Sequence, residues 1–181
     1  MTCIVGVVDK DKNRVVMGAD SSASSDNFIM TRKDPKIFTK GEFLIGGTTS
    51  FRMLQLLRFS LVIPDRGNKE LYEYMCTDFI NAVRDCFQQG GFMQNTETND
   101  ELGGTFLVAF KHRLFEIQDD FQVAENLDGM SAVGCGGGYA LGALYAMKDF
   151  NLEAEVLVRN ALMVSENLAL GVRSPFIILS T

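Results

Sequence analysis

Apolar residues run almost without interruption through positions 3–8, give way to a polar stretch at 9–14 and resume at 15–19, a pattern that predicts an opening hairpin. Because odd and even positions are both apolar, cover is expected on both faces of these strands. Short strands are predicted at 28–31, 37–39 and 43–45. The last leads into Gly46-Gly47 and then Thr48-Thr49-Ser50, whose hydroxyls suit a helix N-cap. Met53, Leu56, Leu57 and Ser60 give a first helical spacing; Tyr72, Met75, Phe79, Val83 and Cys86 give a second. Positions 88–101, rich in Gln, Asn, Gly and Thr, predict a mobile loop and not a domain boundary. Strands are predicted again at 105–110, 113–117 and 121–123 as a meander, and at 130–133 before a glycine cluster. Ala140, Leu144 and Met147 share a helical face. After a cap at Asn151, the spacing of Ala154, Leu157, Ala161, Val164 and Leu168 predicts a last helix, followed by a strand at 176–179.

The order is strands, two helices, strands, two helices, strand, with no alternating β-α-β units. It predicts an α+β fold: a four-layer αββα sandwich, with two sheets face to face and helix pairs outside. The 181 residues, 46% of them hydrophobic, suffice for one domain, 1–181, with a full core and no staples.

Charge narrows the function. The formal net charge is −6 and no stretch is dense in Lys or Arg, which argues against nucleic-acid and anionic-membrane partners. No apolar run approaches the roughly 20 residues of a membrane span, and the first strand leads straight into Asp9, Lys10 and Asp11, so a cytoplasmic location is expected. Cys3, Cys76, Cys86 and Cys135 are widely separated, which points to reduced thiols and away from zinc or disulfides. His112, the one histidine, sits in the turn Lys111-His112-Arg113. A Ser-His-Asp triad or a His-rich metal site therefore has no histidine to use, and neither metal nor cofactor is expected. Gly136, Gly137 and Gly138 complete neither a Walker sequence nor a dinucleotide fingerprint.

A different base is available at the amino terminus. Thr2 follows Met1 and is of the small kind that permits removal of the initiator methionine. A free α-amine, with a reference pKa of about 7.7–8.0, would place a base on the same residue as a hydroxyl nucleophile.

Several ordered motifs resemble the proteasome β-subunit family, which includes the bacterial two-ring peptidase driven by an ATP-dependent unfoldase. Thr2-Cys3-Ile4-Val5-Gly6-Val7 is similar to its opening strand, and Val16-Met17-Gly18-Ala19-Asp20-Ser21 to the second, which ends in Asp. Lys36, in Asp34-Pro35-Lys36-Ile37-Phe38, stands where the family has its essential lysine. Leu44-Ile45-Gly46-Gly47-Thr48-Thr49 resembles the glycine turn that supplies the oxyanion amide, and Val133-Gly134-Cys135-Gly136 the strand-to-helix turn beside the nucleophile. Two positions differ: Cys135 stands for the usual Ser, and Asn167 for the usual Asp, with Leu170 in place of a following Ser.

The resemblance implies an N-terminal-nucleophile fold and a threonine endopeptidase. Thr2 would be the nucleophile, with Asp20 and Lys36 setting the charge. Gly46, with Gly47, would provide the oxyanion amide, and Cys135 and Asn167 would orient the amine. Ala23, Leu44 and Thr48 would line an apolar pocket. Implied partners are an unfolded polypeptide substrate, further copies in stacked homo-oligomeric rings, and an ATP-dependent unfoldase. Two alternatives remain open: a catalytically silent ring protein with an assembly or scaffold role, and an amidase for small amides.

Overall fold

The computed structural model describes residues 1–25, 27–92, 94–95, 100–101 and 104–181. Strands β1 (Ile4–Asp9), β2 (Arg14–Ala19), β3 (Ser22–Ser25), β4 (Phe28–Thr31), β5 (Ile37–Lys40) and β6 (Phe43–Gly47) come first. Helix α1 (Phe51–Phe59) follows, then α2 (Leu71–Tyr74), a π-helical turn at Met75–Phe79, and α3 (Ile80–Gln89). Next come β7 (Gln94–Asn95), β8 (Asp100–Glu101), β9 (Phe106–Phe110), β10 (Arg113–Ile117), β11 (Val123–Ala124) and β12 (Met130–Val133). Helices α4 (Gly137–Met147) and α5 (Ala154–Leu168) and strand β13 (Ile177–Ser180) complete the chain.

Two main antiparallel sheets result, in the orders β12-β1-β2-β13 and β11-β10-β9-β6-β5, beside the two-stranded ladders β3-β4 and β7-β8. Residue parity then builds four layers, because successive side chains of a strand point to opposite faces. Cys3, Val5 and Val7, with Val16 of β2, pack on Ala140 and Leu144 of α4 and Val158 and Leu162 of α5. Ile4, Val15 and Met17 turn the other way, to meet Ile37, Leu44, Leu107 and Leu114 between the sheets. Phe43, Ile45, Phe106 and Val108 leave the second sheet outward, under α1, the π-helical turn and α3. Each sheet is thus apolar on both faces, as the opening hairpin predicts, and the αββα sandwich is the observed architecture.

Local chemistry explains the element ends. Among the three consecutive hydroxyls, Ser50 caps α1 by accepting from the Met53 amide at 3.3 Å. Lys111 and His112 form the exposed β9–β10 turn, Lys111 with φ 56°. Some boundaries differ from the pattern. The π-helical turn shifts the face of the second helix, so Tyr74 is buried while Tyr72 is 42% exposed. Asn151 does not cap α5; Glu153 is its N-cap residue. Val164 and Leu168 are exposed and Ser165 is buried in their stead. Phe121 takes φ 67° in a turn, which delays β11 to Val123. The stretch 88–101 holds the end of α3 and the short β7–β8 ladder; positions 93 and 96–99 of that stretch lie outside the described residues. Strand β3 has no hydrophobic pattern and was not expected; its pairing with β4 alone defines it.

Candidate active site around Thr2

Strand pairing gathers four distant segments at the start of β1. Ile4 pairs with Ala19 on one side and with Val133 on the other. Thr2 therefore sits between Asp20, just past β2, and residues 134–136, just past β12. Lys36, immediately before β5, arrives from the second sheet.

Asp20 is the electrostatic centre. Its side chain is 0% exposed and that of Lys36 is 2% exposed, and the Lys36 ammonium donates to Asp20 Oδ1 at 2.8 Å. The same oxygen accepts from the Cys3 amide at 2.9 Å. Oδ2 accepts from the Ser22 amide at 3.0 Å, the Ser22 hydroxyl at 2.6 Å and the Arg173 amide at 3.3 Å. A buried carboxylate with this many donors is held in place. Burial pulls the Lys36 ammonium below its ordinary pKa, and the upward influence of Asp20 opposes that pull. Beneath them the Cys3 thiol is pushed up to about 12, chiefly by burial.

Thr2 is 5% exposed. Its amide nitrogen lies 3.3 Å from Cys135 Sγ, and its carbonyl accepts from the Gly136 amide at 3.2 Å and from the Cys135 thiol at 3.5 Å. Gly134 has φ 94°, and a Cβ there would fall 2.3 Å from the Thr2 carbonyl oxygen, so only glycine fits. The Thr2 hydroxyl donates to the Met1 carbonyl at 2.6 Å, and the Lys36 ammonium reaches the same oxygen at 3.2 Å. Nucleophile, cation and the acyl group on the amino side of Thr2 therefore meet at one atom. The Met1 side chain lies against Gly171, and its backbone nitrogen donates to Ser24 Oγ at 3.4 Å. The cleft around this atom is walled by Ala23, Met30, Arg32, Thr48, Thr49 and Phe51.

No protein-family model matches the chain. It is 27% identical over 165 residues to the ATP-dependent protease subunit HslV of Bartonella quintana, covering 91% of this chain and 82% of that one. Among solved structures, Thiobacillus denitrificans BPH superposes with a TM-score of 0.81 at 20% identity over 98% of this chain and 97% of the other, and it has also been solved in complex with Epoxomicin. Eukaryotic HslV from Trypanosoma brucei gives a TM-score of 0.70 at 18% identity, covering 99% and 98% of the two chains. The chain is similar in sequence to HslV subunits and shares the fold of the proteasome-like structures.

For this proteasome β-like chain the solved structures show the N-terminal-nucleophile fold, and the similarity to HslV supports a proteasome-like peptidase. Thr2, Asp20, Lys36 and Cys135 come together, and Ala23 and Thr48 line the cleft. Four expected positions are engaged elsewhere. Leu44 is fully buried between the sheets, because its parity in β6 directs it toward Ile4 and Met17. The Gly46 and Gly47 amides are engaged: Gly47 donates to the Lys36 carbonyl at 3.1 Å. Thr48 donates to the Thr105 carbonyl at 3.1 Å, so ladder alternation pairs the Gly46 amide with Leu107. Asn167 is exposed, and its side-chain amide donates to the Met163 carbonyl one turn back.

Two supporting residues were not anticipated. Ser22 completes the Asp20 cage, and an Asp followed two residues later by a hydroxyl residue is a recognisable local turn signal. Ser165 is 0% exposed, donates to the Gly136 carbonyl at 2.9 Å and lies 3.6 Å from Cys3 Sγ, bracing the turn that carries Cys135. A polar residue within a buried helical stripe was its only mark in the sequence. Among the described residues, no helix is long and apolar enough to cross a membrane, and no group of three His, Cys, Asp or Glu could hold a metal ion.

Proposed function

We propose that this chain, acting as a single domain 1–181, is an N-terminal threonine endopeptidase and a subunit of a self-compartmentalised protease that degrades unfolded polypeptides in the cytoplasm. The carrying observation is the shared Met1 carbonyl oxygen, 2.6 Å from the Thr2 hydroxyl and 3.2 Å from the Lys36 ammonium. An acyl group at that place is within reach of a nucleophile and a fixed positive charge.

Removal of Met1 turns the Thr2 nitrogen, now beside Cys135 Sγ, into a free amine. The Thr2 oxygen then attacks a substrate carbonyl carbon while the amine takes the hydroxyl proton. The C–N bond breaks, the proton passes to the leaving amine, and water hydrolyses the ester left on Thr2. The Lys36 charge disfavours protonation of the amine and keeps it a base near neutrality. With the Gly46 and Gly47 amides engaged in the ladder, the oxyanion falls to the next amide that has no partner among the described residues, that of Thr49. Thr49 holds φ 65° between Thr48 and Ser50, and the Ser50 amide donates to the Thr48 carbonyl at 2.7 Å. A β-branched residue in that conformation stores strain of the sort found at functional sites.

The similarity to HslV supports stacked homo-oligomeric rings and an ATP-dependent unfoldase as partner. The test combines intact mass, labelling with a Thr-directed epoxyketone, and fluorogenic-peptide hydrolysis by the wild type and Thr2→Ala. Loss of Met1, one adduct on Thr2 and hydrolysis abolished by Thr2→Ala are expected. A homogeneous species that keeps Met1, takes no adduct and assembles into rings would instead establish a silent ring protein. A monomer that hydrolyses only small amides would establish an amidase.

A further inference from the structure

Arg32 follows β4 at the wall of the Thr2 cleft. Its Nε donates to Asp34 Oδ1 at 2.9 Å and its Nη2 lies 2.7 Å from Oδ2, a side-on pair that holds one edge of the guanidinium. Its face lies over the Phe51 ring, with the guanidinium carbon 4.1 Å from the centroid. Clamped at one edge and one face, the group has little freedom left to lose on meeting a ligand. The Arg32 hydrogen bond also holds the Asp34 carboxyl below its ordinary pKa, so the anchor stays ionised at neutral pH. A guanidinium has five N–H donors, and among the described residues those of Nη1 have no partner. They form an end-on edge that fits a second carboxylate. The other cationic side chain lining the cleft among the described residues, Lys36, is buried and committed to Asp20.

Direction comes from Met1. Its carbonyl is on the Thr2 hydroxyl and its nitrogen on Ser24 of β3, so the acyl side of the cut bond runs along β3. Strand β4 pairs with β3 and leads directly into Arg32. We propose that Arg32 determines specificity: its free edge takes the carboxylate of an Asp or Glu on the acyl side of the substrate, within the first three residues before the cut. This selects acidic segments where the resemblance implies an apolar pocket, and it rests on the peptidase reading above.

Binding separates the two ideas. Thr2→Ala protein, which cannot cleave, is titrated with fluorescent peptides carrying Glu or Gln at each of those three positions, followed by anisotropy. At one position the Glu peptide is expected to bind about tenfold more tightly than its Gln twin, as suits a charge-assisted pair at a cleft wall. That ratio should fall to about one when Arg32→Gln is added, and partway with Arg32→Lys, which lacks a second edge. A ratio near one at every position, or one unchanged by both Arg32 variants, overturns the assignment. Turnover of the same peptides by the Thr2 protein is the separate arm: an intact Glu preference in binding without hydrolysis would refute the peptidase and leave the role of Arg32 standing.

Discussion

Asp20→Asn changes the protein by one charge, with almost no change in volume. Lys36 keeps its 2% exposure but loses the only carboxylate that pairs with it among the described residues, and the five donors around Asp20 face a neutral group, half of which is itself a donor. Breaking a buried pair by removing one partner costs about 3–5 kcal/mol, because a charge is left without compensation in a dry site. For a chain of this length each kcal/mol shifts Tm by roughly 2–4 °C, so a drop on the order of 6–20 °C is expected. Lys36→Met removes the cation and leaves the carboxylate with its amide and hydroxyl donors, so it should cost less. In the double variant no buried charge remains, and it should be more stable than Asp20→Asn alone. Circular dichroism during urea unfolding at fixed protein concentration measures all four corners of the cycle. The pH sign is also set. Lys36 has a depressed folded pKa, so between that value and its ordinary value near 10.4 the unfolded chain binds the extra proton and stability rises with pH. The Asp20→Asn deficit should therefore shrink in alkali. An Asp20→Asn cost under about 1 kcal/mol, or a double variant equal to the sum of the singles, would refute the view of this pair as a desolvated unit.

Three further outcomes are expected of other residues near the site. Cys3 works in the opposite direction to Lys36: with its thiol raised to about 12 from 9.0, the native state holds the proton longer, and stability should fall by about 1.4 kcal/mol per pH unit above pH 9, a slope that Cys3→Ala removes in alkaline urea melts. Cys135 is exposed and touches Thr2 whereas Cys3 is buried, so brief iodoacetamide treatment should add one label at Cys135 by peptide mass mapping and abolish peptide hydrolysis; Cys135→Ser should be active and resistant, and label on Cys3 instead would contradict the burial. Thr49→Gly relieves about 1–2 kcal/mol of left-handed strain against roughly 0.5–1 kcal/mol of added chain entropy, so unfolding free energy should rise by about 0.5 kcal/mol; a loss above 1 kcal/mol would show that its side chain, not its strain, dominates.

Much of the fold was legible because its information is local. Alternation in β1, β2, β6 and β9, the hydroxyl cap at Ser50 and the turn at His112 each depend on a handful of neighbours. The exceptions are places where contact overrides pattern. Strand β3 is Ser-rich and exists through β4, and the π-helical turn at Met75–Phe79 rotates a helix whose spacing promised a straight stripe. In the site, Thr2, Asp20, Lys36 and Cys135 carried motifs. Leu44, Gly46, Gly47 and Asn167 carried motifs as well, yet their side chains and amides are engaged elsewhere.

By itself the sequence determined the order of strands and helices, which strands are apolar on both faces, and the residue types able to cut an amide without histidine. Tertiary structure alone decided where those groups point. Each ladder step reverses both the side chain and the amide, so whether the Gly46 amide is paired or Leu44 faces a cleft depends on which strand lies alongside and in what register. Nor does any local rule bring Arg32 and Phe51 together at the wall beside Thr2; that juxtaposition arises only in the tertiary fold.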